Sequence, residues 1–210
     1  MSTKNRDYYD DVFRELKKWG LLLESDPKLP SVCRIITGGP MKGSWWSHPM
    51  AQTIFQVNEQ LDDHPDVLIA KLLAGKVTFI HRQFWPALLV VATSTEPWQM
   101  RSLPDTAQKV LTFLTTAGAV RSDELRIGTV GRKELNEAVR ILERRLLIHS
   151  QQVHTESGAH AKLLESWGNW AAAAKLKAVE MSVAKAKENL EQRVKELNER
   201  FESQVTLPWQ

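Results

Sequence analysis

The chain has one cysteine, Cys33, in 210 residues. That excludes an internal disulfide and fits a reducing compartment. Long apolar runs are missing too: none approaches the ~20 residues a helix needs to cross a bilayer. The opening MSTKNRDYYDD is polar and acidic where a secretory leader would be apolar. A cytoplasmic protein is therefore expected. There is no phosphate-binding glycine loop, no zinc-ligand spacing and no Gly-x-Ser-x-Gly elbow, so neither a cofactor nor a metal is expected. Excess charge of one sign is small: 28 Lys and Arg face 25 Asp and Glu, for a net charge of +3. That balance permits nucleic-acid binding without the dense basic patch of a dedicated binder.

What is present suits a soluble globular chain, with 42% hydrophobic and 25% charged residues. Eight tryptophans supply large apolar anchors, most of them expected in the core. The length suffices for one large domain, or for two small ones with an appendage.

Periodicity predicts a helix over 7–23, where Tyr9, Val12, Phe13, Leu16 and Trp19 recur at helical spacing and Gly20 is a candidate end. Residues 24–49 are rich in Gly and Pro and read as loop. A second helix is expected over 50–61. Two strands, 67–73 and 77–81, should flank the turn Ala74-Gly75-Lys76. A short buried helix over 84–93 follows, with Pro86 in its first turn.

Glu96 to Pro104 reads as a boundary. Beyond it comes a helix to Gly118 with Ser102 as candidate cap, then an extended Ala119-Val-Arg121. A short second helix is expected over 123–127, a third over 132–145, and two strands meeting at Glu156-Ser-Gly158. That order is the winged helix-turn-helix pattern. The expected fold class is mainly α with small β-hairpins (α+β). Its domains would be 1–97, 98–170 (the winged helix) and 171–210. The last is read as a long amphipathic helix over 171–203 with a near-heptad stripe of Leu176, Val179, Val183, Ala186 and Leu190. Such a stripe packs on its own chain or pairs two chains as a homodimer.

In a winged helix the third helix enters the major groove. Its outer face would carry Arg132, Lys133, Asn136, Arg140 and Arg144, side chains suited to base edges and phosphates. A merely solvated face is the competing reading, because Glu134, Glu137 and Glu143 share the helix. The hairpin would add His154, Ser157, His160 and Lys162 as phosphate or minor-groove contacts. Centring it near Ser157 opposes His154 to His160 and turns His149 to the other face. A third and fourth metal ligand are lacking there. Trp45 and Trp46 offer a stacking platform, although packing of one into the core is favoured. Asp62, Asp63 and Pro65 are explained by capping and turn roles. Cys33 reads as a buried thiol.

The stretches GSWWSHP, DDHPDVLIAKLLAGKVTFIHRQFWPALL, EPWQ and ERRLLIHSQQVHTESGAHAKLLESW resemble a group of bacterial proteins. That group is related to the tandem winged-helix DNA glycosylases, which excise alkylated or crosslinked bases. The resemblance covers roughly 43–170 and implies a second, degenerate winged-helix-like unit over 50–94. Those glycosylases use a Gln-x-Asp or Gln-x-Gln motif, and Gln60-Leu-Asp62 matches it. The resemblance thus implies water activation by Asp62 and orientation by Gln60. Three readings follow. The leading one is a non-catalytic winged-helix DNA-binding protein in repair or transcription regulation. The others are a glycosylase-like repair enzyme and an interaction module that dimerises through its C-terminal helix.

Overall fold

The structure is a computed structural model that describes residues 3–41, 43–154, 160–176 and 180–210, with 3–7, His154 and His160 described by their backbone alone. In chain order the elements are α1 (Thr3–Trp19), β1 (Leu21–Leu23), α2 (Val32–Thr37), α3 (Ala51–Asp62), β2 (Val67–Leu73), β3 (Lys76–His81) and α4 (Trp85–Ala92). There follow α5 (Pro97–Met100), α6 (Asp105–Ala117), β4 (Val120–Arg121), α7 (Arg132–Arg144), β5 (His149–His154), β6 (His160–Glu165), α8 (Trp167–Ala173) and α9 (Val183–Phe201). The class is mixed α and β, as expected. The chain divides into two compact units. One is Met1–Pro86 with Lys187–Pro208 and Gln210; the other is Ala87–Ala186 with Trp209. No described helix is long and apolar enough to cross a membrane.

In the first unit, α1 stops at Trp19 rather than running to residue 23. Gly20 takes φ +73° and its N–H reaches the Leu16 carbonyl at 2.6 Å. Leu21, Leu22 and Leu23 are buried on both faces and pair with Ile80, Phe79 and Thr78. A run of three apolar residues carries no helix-specific period, so the strand was hidden in an extrapolated helix. The sheet order is β1-β3-β2, all antiparallel. Its hairpin turns through Ala74 and Gly75, both at positive φ, as a two-residue connection requires. The stretch expected to be loop contains α2, capped by Ser31 Oγ, which accepts the Arg34 N–H at 3.3 Å. Val12, Leu16, Ile54, Val57, Leu61 and Phe79 meet in one core.

The segment 171–203 is not one helix. Chain turns follow α8, and Lys175 takes φ +52°. A new helix starts at Val183, with Ser182 Oγ accepting the Lys185 N–H at 3.2 Å. The stripe of α9 is covered within the chain: Ala186, Leu190, Val194 and Leu197 are buried. In the first unit Phe201 meets Trp19 edge-on at 5.1 Å, and the Arg193 guanidinium lies over the Phe84 ring.

In the second unit, α6 packs on α7 around Val110, Leu114, Leu135, Val139 and Leu142. Pro104, not Ser102, stands at the α6 N-cap. The short helix expected over 123–127 is a single turn: Glu124 and Leu125 both return hydrogen bonds to the Arg121 carbonyl. The Arg121 guanidinium holds Asp123 at 2.6 Å, and Gly128 at φ +51° redirects the chain. The second sheet runs β4-β6-β5. Leu164 and Trp167 anchor the hairpin, while Leu163 is only half-buried. The fully buried Gln99 amide ties Ala92 to the end of α7, donating to the carbonyls of Ala92 and Arg145.

Candidate nucleic-acid interface

α7 buries Leu135, Ala138, Val139 and Leu142. At about 100° per residue, Lys133, Asn136, Arg140 and Arg144 share an outward arc, with Arg132 at its edge. All five are exposed. Arg132 is partly committed, because its guanidinium donates to the Ser122 carbonyl at 2.5 Å.

The acids of the helix decide whether that arc is basic or mixed. Glu134 accepts the Thr106 hydroxyl of α6. Glu143, expected on the solvated face, is buried at 4% exposure, where it accepts the Ser150 hydroxyl at 2.7 Å and the Lys162 ammonium. Only Glu137 stays on the outer arc, 3.4 Å from Arg140. On that arc three cations, Lys133, Arg140 and Arg144, face one carboxylate, while Glu134 stays exposed to one side of it. The signal for Glu143 was in the spacing: it follows Val139 by four and Leu135 by eight, on the buried stripe.

The hairpin partly matches expectation. The β5–β6 register sets the His154 backbone opposite His160. Their side chains, and Ser157, lie outside the described residues. Lys162 sits on β6 opposite Gln152, and its ammonium is drawn to Glu143, so it braces the hairpin against α7. His149 is buried, with Nδ1 3.1 Å from Glu165 Oε1 and its ring 5.3 Å from both Trp167 and Trp170. It holds the base of the hairpin.

In the first unit, Gln60 and Asp62 flank the buried Leu61 at the end of α3. Residues two apart on a helix do not face each other, so the two side chains leave α3 in different directions. Asp66 pairs with Arg82 at 2.9 Å. Cys33 is buried, and burial pushes its thiol up to about 11. Among the described residues no three His, Cys, Asp or Glu side chains group to hold a metal ion. Trp45 joins the core, whereas Trp46 is 64% exposed.

Compared with known proteins, residues 7–206 match one family model, described as "AlkZ related". No curated protein and no solved structure matches.

Proposed function

Because the chain belongs to the AlkZ-related family, we propose that it serves DNA repair by holding DNA on the outer face of α7. AlkZ itself is a DNA crosslink repair glycosylase. In this reading residues 98–170 act as a winged helix. Arg140, Arg144 and Lys133 neutralise phosphates, Asn136 and Arg132 meet base edges, and the β5–β6 hairpin with His154, Ser157 and His160 flanks the duplex. The observation that carries it is the disposal of Glu143, buried against Ser150 and Lys162, which leaves Lys133, Arg140 and Arg144 with Glu137 as the one acid on their arc and Glu134 to its side. The test is duplex binding by an Arg140→Ala, Arg144→Ala double variant. We expect affinity to fall at least tenfold, since each phosphate contact releases counterions. Unchanged affinity removes α7 as the interface.

A second reading is favoured by the relation to a glycosylase and by the triplet Gln60-Leu-Asp62. Asp62 would activate water while Gln60 orients it. Duplexes carrying alkylated bases would then yield abasic sites, and Asp62→Ala would abolish them. The divergent directions of the two side chains make non-catalytic binding the leading reading. Pairing of two chains through 171–203 has less to rest on, because the α9 stripe is already covered.

A further inference from the structure

Trp46 is the largest exposed hydrophobic side chain among the described residues, at 64%. Exposing an indole forfeits a large apolar burial, so a fixed, exposed indole calls for an occupant. Trp46 is fixed. Its ring stacks on Trp45 at 4.0 Å with 23° between planes, and Phe55 of α3 props it at 5.9 Å. The helical turn beneath is pinned from both ends. Ser44 Oγ accepts the Trp46 N–H, the Ser47 hydroxyl donates to the Ser44 carbonyl at 3.0 Å, and His48 Nδ1 accepts the Met50 N–H at 3.1 Å.

Behind the stack runs a chain of polar contacts. The Trp45 side chain lies beside the Glu24 carboxyl, and the Asn58 amide donates to Glu24 at 3.3 Å. The Glu24 backbone is held by Val77 on one side and Cys33 on the other. Asn58 and Phe55 are three residues apart on α3 and so share a face. One helix face thus supports both the front and the back of the stack. The outer ring is pre-ordered, and the entropy of fixing it is not charged to the ligand.

The geometry points to a stacking site for one unpaired nucleobase of single-stranded DNA, on the outer face of Trp46. A stack of two parallel rings presents a third position at the same spacing, which a planar heteroaromatic ring fills. A patch one ring wide is far below the area of a stable protein interface. Choosing a DNA base among planar rings rests on the DNA reading above; the existence of the platform does not. Bases in a duplex are stacked on each other, so only an unpaired or extruded base can use the site.

The experiment measures binding of the full chain to a labelled oligothymidylate and to a blunt duplex of equal length. Wild type, Trp46→Ala, Trp46→Phe and the Arg140→Ala, Arg144→Ala variant are compared. Trp46 is exposed, so its replacement leaves the core intact, and unchanged thermal melts verify this. Trp46→Ala should weaken oligothymidylate binding about five- to hundredfold, the range of one base stack. Trp46→Phe should keep most of the affinity, and duplex binding should change less than twofold. If Trp46→Ala leaves oligothymidylate affinity unchanged, or weakens the duplex equally, the inference is overturned. If in addition the α7 variant loses the duplex, the α7 reading survives alone. If Trp46→Ala acts and the α7 variant does not, the platform stands and the α7 reading falls. A wild-type chain that binds neither probe overturns both.

Discussion

Gly20 shows how much one residue can hold in place. It stands at φ +73°, and a Cβ there would lie 2.1 Å from the Phe84 ring. Both the backbone angle and the space demand glycine. Gly20→Ala should therefore destabilise the fold by ~2 kcal/mol or more, read as a lowered denaturation midpoint. Glu24 is the second test at this scale. Burial raises its carboxyl pKa, and the neighbouring Trp45 side chain only partly opposes this. The folded state thus binds the proton more tightly than the unfolded chain, and Glu24 costs stability as pH rises through its folded pKa. Glu24→Gln should raise the melting temperature at pH 7. The gain should vanish below the ordinary glutamate range, about pH 4. No gain at pH 7 would contradict the assignment. Some residue roles were legible beforehand: Cys33 as a buried thiol, His154 opposite His160. The partners of Glu143 and His149 were not, because they come from the strands of the following hairpin and from across its strand pair.

At the scale of elements, strong periods translated directly into structure. α3, α6, α7 and both hairpins stand where the residue patterns put them. The misses have physical causes. Leu21–Leu23 lacks a helical period and is recruited by β3, a tertiary effect that local pattern does not carry. Asp123–Ile127 gains only one turn because Arg121 captures Asp123. The long C-terminal helix was read from composition and a near-heptad stripe; the chain turns after α8, Val179 lies outside the described residues, and in α9 Ala186, Leu190, Val194 and Leu197 are buried within the chain. A direct consequence is that Leu190→Ala should destabilise the fold by about 2–5 kcal/mol, the usual cost of emptying a buried leucine site. Measured by denaturant unfolding, a loss below ~0.5 kcal/mol would contradict the burial of the stripe.

For the whole molecule, the resemblance carried more than composition did. The expected match over roughly 43–170 extends to 7–206, so both units belong to the family pattern. A net charge of +3 says little about DNA. The informative quantity is where acids are neutralised, and that required Glu143 to be seen with Lys162. The claim that α7 meets DNA is tested most directly by the salt dependence of duplex affinity. It should be measured for wild type and for a Lys133→Ala, Arg140→Ala, Arg144→Ala variant across a range of monovalent salt. If the three cations sit on phosphates, the log–log slope becomes shallower by about 3 units in the variant. An identical slope in both proteins would show that α7 does not touch the DNA backbone.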